Sequence, residues 1–329
     1  MQLQSVRDLK LEVALDVFAP HLNDLIARAT LPRLDHLQLP IPPPLIGLGI
    51  GIGNRPGEFS LAIRFRERLP ALEAILQRII ALANNEVDVV ATGAIRPFAA
   101  AVDVQALRSA CRPLVLGCSV AHVTSTAGTL GLIARHIKTN RAVLVSNSHV
   151  LAHSGAAKIG DGVTQPGRVD GGTVPIGSLM DFVPLKPNGS NQVDAAIALP
   201  DAAIELAPSQ IAGIGAFTIA PADAVRPNMN VSKLGRTSGL TRGVVTAVEV
   251  DNITIDSEIG NLTFDGQIEV KGVGSAFSLG GDSGSLIVSD QNQAIGMLFC
   301  GNEFANNGLG VTYANPLPKI MDAFNLTPL

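Results

Sequence analysis

No tryptophan occurs in this 329-residue chain, and tyrosine occurs once. Aromatic platforms on which single-stranded bases could stack are therefore scarce. Positive charge is also in short supply: 24 Lys and Arg stand against 28 Asp and Glu, a net charge of −4. Such a chain has no basic field to gather a phosphate backbone, so nucleic acid is not an expected partner. The three cysteines, Cys111, Cys118 and Cys300, have spacings that fit neither a disulfide framework nor a zinc site. That scarcity points to a reducing, cytoplasmic compartment. Arg7, Lys10, Glu12, Asp16 and Asp24 interrupt the N-terminal stretch, which thus lacks the apolar core of a signal peptide. Prolines and glycines break the apolar run Ile41 to Gly53, and no stretch is long enough to span a membrane.

What is present is a chain able to bury a core, with 47% hydrophobic and 16% charged residues. Leu11, Leu15, Phe18, Leu22, Leu25 and Ile26 recur at helical spacing, with Pro20 expected to kink or divide the helix. Residues 1–35 therefore read as a helical segment for packing or self-association, a candidate homo-oligomer contact. A proline-rich connector over 31–43 leads into an alternating stretch, Leu45 to Gly53. Its glycines follow GxGxGxG and not GxGxxG, so a strand with small residues is expected there and not a dinucleotide site. A second strand (59–67), an amphipathic helix near 72–83 and a strand at 87–93 complete a β-β-α-β order. This predicts a small α/β domain over 36–113, with interaction or assembly as its role.

From Gly128 onward, short alternating strands separated by Gly and Asn turns read as all-β. Strands are expected near 128–136, 141–149, 175–185 and 193–199. A linker at 200–227 leads to strands near 229–236, 242–256, 267–271, 285–289, 294–300 and 308–314, and Leu317 to Phe324 reads as a closing helix. The third expected unit is thus 114–329.

Gly280 to Ser285, GGDSGS, precedes the apolar run Leu286 to Val288. A serine between two glycines suits a nucleophile exposed on a tight turn, and the N–H groups of Gly281 and Ser283 suit an oxyanion hole. A serine hydroxyl needs a base and a carboxylate to orient that base. His149 ends the apolar strand Arg141 to His149, and Asp194 opens the alternating run Val193 to Leu199. The order His149, Asp194, Ser283 is that of the chymotrypsin-type triad and not that of the hydrolase or subtilisin types. His149 and His153 lie four apart, but HVLAH lacks the glutamate of HExxH, and no metal is expected.

GDSGS, SNSHV and VDAAIAL together resemble the trypsin-like (chymotrypsin-fold) serine endopeptidases, from about Gly117 to the C-terminus. Thr126 to Gly131, Gly235 to Gly243 and GDSGSLIV further resemble an intracellular branch found in bacteria and in the plant Narrow Leaf proteins, in which an α/β segment precedes the protease. The resemblance implies an α+β chain whose C-terminal part is two six-stranded β-barrels with the triad in the cleft between them. It implies a protein or peptide substrate, an acyl-enzyme mechanism and no metal or organic cofactor. It also implies a substrate pocket bordered by Phe277, Phe299 to Gly301 (including Cys300) and Gly308 to Gly310. Asp282 would be held by an internal cation, Lys233 or Arg236, without amino-terminal processing. One departure stands out: Phe299 occupies the place where the family usually has a serine supporting the triad aspartate. A protease-fold binding or scaffold protein with little turnover is the alternative.

Overall fold

The computed structural model describes residues 1–18, 46–66, 70–92, 104–187, 189–208, 210–302 and 304–329. Helix α1 (Leu3–Val13) turns Val6, Leu9 and Val13 inward and leaves Leu11 exposed. The chain continues as a wider helical turn over Ala14–Phe18. Pro20, Leu22, Leu25, Ile26 and the proline-rich connector lie outside the described residues.

Strands β1 (Ile46–Ile52) and β2 (Phe59–Phe65), helix α2 (Pro70–Leu82) and strand β3 (Val87–Ala91) follow in the expected order. β1 and β2 are antiparallel, and the crossover through α2 returns β3 parallel to β2. The alternate glycines of β1 have a packing reason. A Cβ on Gly47 would lie 2.6 Å from the Asp251 carbonyl oxygen, and one on Gly49 would lie 2.7 Å from Val250 Cγ2. Only glycine permits so close a backbone approach.

The first β unit contains β4 (Ser119–His122), β5 (Gly128–Thr129), β6 (Leu132–His136), β7 (Arg141–Ser146), β8 (Gly162–Thr164), β9 (Pro175–Phe182) and β10 (Ala196–Pro200). The second contains β11 (Asn230–Gly235), β12 (Gly239–Asp251), β13 (Gln267–Gly272), β14 (Leu286–Ser289), β15 (Gln293–Asn302) and β16 (Val311–Pro316). In the second unit the order β11-β14-β15-β16-β13-β12 closes through a β12–β11 pairing, a six-stranded barrel. The closing helix forms as α3 (Leu317–Ala323), but the chain then runs on into β17 (Leu326–Pro328), which pairs with β6. Among the described residues the first unit is a curled sheet, β17-β6-β7-β10-β9-β8-β4-β5, without a closing ladder. The whole is α+β, one closed six-stranded barrel and one curled half-barrel where two six-stranded barrels were expected.

β12 belongs to both the barrel and the N-terminal strands, because it also pairs with β1. Its register shifts between Ala247 and Val250, where Glu249 takes a positive φ of 53°. Such a bulge bends a strand and lets one end serve a second partner. Leu48, Leu61 and Leu76 share one apolar cluster with Val245, Val270 and Phe277 of the barrel. A buried ion pair crosses the same junction: Arg64 Nε and Nη2 donate to the two Glu269 carboxylate oxygens at 2.6 and 2.7 Å. Thr246 Oγ1 and Tyr313 Oη donate to that carboxylate as well.

The two units are also joined by a short parallel pairing of Ser190–Asn191 with Thr263–Phe264, in the second strand of the hairpin Ile253–Phe264.

Candidate active site

β7 ends at Ser146, short of the expected strand end at His149. His149 sits instead on a one-turn helix, Ser148–Leu151. The physical reason is the Asp194 carboxylate. Its Oδ1 accepts the N–H groups of Ser148 at 2.7 Å and His149 at 3.2 Å, the donors that a helix start leaves unpaired. Its Oδ2 lies 2.5 Å from His149 Nδ1. One buried carboxylate thus fixes the backbone and the ring of the same histidine. With Nδ1–H donating to Asp194, Nε2 is left as the acceptor that a general base needs.

Asp194 lies two residues before β10 and is held from both barrel units. Asn147 Nδ2 donates to its carbonyl oxygen at 2.8 Å, and its own N–H donates to Asn315 Oδ1 at 2.9 Å. Asn315 is fixed in turn through Nδ2 to Gln267 Oε1 at 2.7 Å. The support expected from a serine is replaced by backbone donors and this amide pair, while Phe299 packs on Phe264 with ring centroids 4.7 Å apart. Asn315 and Gln267 carry no local motif, so pattern reading missed them.

Ser283 occupies a turn packed against the histidine helix. A Cβ on Gly128 would lie 2.4 Å from Val150 Cγ2 and 2.9 Å from the Ser283 carbonyl oxygen, so the two elements nearly touch there. Among the described residues, the N–H groups of Gly281 and Ser283 have no intramolecular acceptor. Two free donors two residues apart on one turn are the raw material of an anion-stabilising site. Gly281 needs its residue type: φ is 93°, and a Cβ would lie 2.4 Å from Arg236 Nη1. Its carbonyl accepts from Thr129 Oγ1 at 3.0 Å, and that hydroxyl accepts the Arg236 N–H at 3.1 Å. Ser283 itself is 2% exposed, and its Oγ donates to the Phe299 carbonyl oxygen at 3.3 Å. Among the described residues no hydrogen bond joins it to His149.

Of the two cations expected at Asp282, Lys233 is there and Arg236 is not. Lys233 Nζ lies 3.0 Å from Asp282 Oδ2. The carboxylate also accepts from the N–H groups of Thr237, Ser238 and Leu279 and from Ser238 Oγ. Burial pulls the Lys233 ammonium below its ordinary range, and Asp282 opposes that pull. Arg236 points away to Asp170, 2.5 Å from Nη2 to Oδ1, and that carboxylate also takes the Ser119 hydroxyl.

The expected pocket residues divide. The side chains of Phe277, Phe299 and Cys300 are fully buried, Phe277 in the core cluster of the second barrel. Gly301 and Gly310 are buried backbone positions and Gly308 is exposed. An apolar recess of about 280 Å³ lies beside the histidine helix, formed by Ser154 to Ala156, Phe182, Leu185 and Ile259 among others. No group of His, Cys, Asp and Glu suited to a metal ion occurs among the described residues.

No protein-family model matches the chain, and no curated protein matches it. Solved structures with a similar fold include a protease from Nocardiopsis (17% identity, 65% of this chain and 97% of that one, TM-score 0.46). A chymotrypsin from Cellulomonas bogoriensis aligns at 18% identity over 65% of this chain and 97% of that one, TM-score 0.45. A glutamic-acid-specific serine protease described as using a histidine triad in substrate binding aligns at 16% identity, 66% and 100% coverage, TM-score 0.48.

Proposed function

We propose that the chain is a serine endopeptidase with His149, Asp194 and Ser283 as its triad. The observation that carries this reading is the 2.5 Å contact of His149 Nδ1 with a buried Asp194 whose other oxygen caps the histidine's own helix. An aspartate placed that way selects the imidazole tautomer with a free Nε2 and stabilises the imidazolium that forms when Nε2 takes a proton. In this reading the Ser283 hydroxyl leaves the Phe299 carbonyl for His149 Nε2. The hydroxyl oxygen then attacks the peptide carbonyl as His149 takes its proton, and the N–H groups of Gly281 and Ser283 receive the oxyanion. His149 next protonates the leaving amine, and water releases the acyl group with the same base. Lys233 pairs with Asp282 from within the chain, which supports a nucleophile turn that forms without a new amino terminus.

A second reading is a protease-fold protein that binds without turnover. The Ser283 hydroxyl turned to the Phe299 carbonyl favours it. A fluorophosphonate probe separates the two. Labelling of the wild-type chain that is lost in Ser283→Ala supports the peptidase. An unlabelled wild-type chain, or equal labelling of both, overturns it.

A further inference from the structure

The stretch Thr126 to Gly131 supplies no member of the triad, yet it is where the first β unit presses on the nucleophile turn. A Cβ on Gly131 would lie 2.0 Å from the Gly284 carbonyl oxygen, and one on Gly284 would lie 2.1 Å from the Thr129 carbonyl oxygen. Glycine at both places lets the two backbones meet. At this contact stands Thr129, on β5, with no exposure to solvent. It holds both residues whose N–H groups are free. Its N–H donates to the Ser283 carbonyl oxygen at 2.7 Å, and its Oγ1 donates to the Gly281 carbonyl oxygen at 3.0 Å. Its own carbonyl accepts the hydroxyl of Ser146, the last residue of β7, at 2.7 Å.

The neighbours of the Thr129 hydroxyl set its direction. A hydroxyl has a single proton to give. Because the Arg236 N–H donates to Thr129 Oγ1 at 3.1 Å, that proton is left for Gly281. The Arg236 side chain is anchored by Asp170, whose other oxygen takes the Ser119 hydroxyl. Ser119 faces Thr129 across the β4–β5 pairing, so the ring of contacts closes on itself. Gly281 has the greatest need of such a hold. A glycine visits both signs of φ at little cost, and its φ of 93° is one that other residues avoid.

We propose that Thr129 is a positioning residue: by gripping the carbonyls of Gly281 and Ser283 from the other β unit, it keeps their N–H groups aimed at one oxyanion, a role that rests on the peptidase reading. The hole then depends on the docking of the two units and not on the nucleophile turn alone. Thr129→Val keeps the backbone donor and the shape but removes the hydroxyl. The Gly281 carbonyl is released, and the neighbouring N–H loses its aim. Thr129→Ser keeps the hydroxyl.

Steady-state kinetics of the intact chain on a peptide substrate test this. Thr129→Val is expected to lower kcat and kcat/KM together by about 10²-fold, the cost of a misplacement of about 1 Å. KM should change little, as when a contact made only in the transition state is lost. Thr129→Ser is expected to recover most of the loss. Circular dichroism checks folding; should Thr129→Val not fold, Thr129→Ala, which leaves room for water beside the two stranded groups, replaces it. Three results overturn this role while the triad stands: a folded Thr129→Val that turns over like wild type, a loss confined to KM, or Thr129→Ser as impaired as Thr129→Val. A wild-type chain without turnover overturns the peptidase reading and this role with it.

Discussion

Lys233 Nζ and Asp282 Oδ2 lie 3.0 Å apart with both side chains at 0% exposure, directly behind the turn that carries Ser283. Removing one member of a buried pair strands the other charge, at a cost of about 3–5 kcal/mol. Lys233→Met is expected to lose about that much stability in urea melts. Adding Asp282→Asn should recover part of it, because the stranded charge is then gone. A double variant no more stable than Lys233→Met would show that Asp282 does not depend on this lysine.

If His149, Asp194 and Ser283 act together as proposed, losses of His149 and Ser283 should not add. His149→Ala and Ser283→Ala are each expected to lower turnover of a peptide substrate by about 10⁴–10⁶, with the double variant close to either single one. Asp194→Asn should leave the fold intact by circular dichroism while turnover falls. Retained activity in Ser283→Ala excludes the mechanism.

Arg64 and Glu269 predict a pH dependence of stability. Burial by itself would raise the Glu269 carboxyl, but the Arg64 guanidinium, with the Thr246 and Tyr313 hydroxyls, holds it below its ordinary value. A carboxyl depressed in the folded state contributes stability above its unfolded pKa, and that contribution is lost as pH falls through the folded value. In Arg64→Met the sign reverses, because an unpaired buried carboxylate favours protonation. The variant is expected to lose about 3–5 kcal/mol at neutral pH and to regain part on moving toward pH ~5, below which carboxyls protonate readily. Thermal melts of both proteins across that range check this, and parallel curves contradict it.

Specificity should be apolar. On the proposed peptidase reading, the pocket expected at Phe277, Phe299 and Cys300 offers no carboxylate, and these side chains are apolar and buried. Cleavage after small or apolar residues is expected in a peptide-library profile. A profile dominated by Arg or Lys at the cleaved position contradicts this.

How much of this was legible in the sequence follows from how local each feature is. The GGDSGS turn, the strand leading toward His149 and the alternating run after Asp194 are written in short stretches, because turn residues and two-residue periodicity act through adjacent positions. The GxGxGxG strand was legible for the same reason, since small residues on one face permit close backbone approach. The choice of Lys233 over Arg236 was not legible. They stand three residues apart in one stretch, and the rival carboxylate Asp170, which draws Arg236 away, comes from the short helical turn Arg168–Asp170 of the first unit. Nor could sequence show that Asn315 and Gln267 steady Asp194, because their pairing depends on β13 and β16 lying side by side. The same holds for the short helix at His149: its residues read as a strand end, and the Asp194 carboxylate, from the segment before β10, decides otherwise. Local chemistry determined which residues could act, while long-range pairing and burial decided which of them meet.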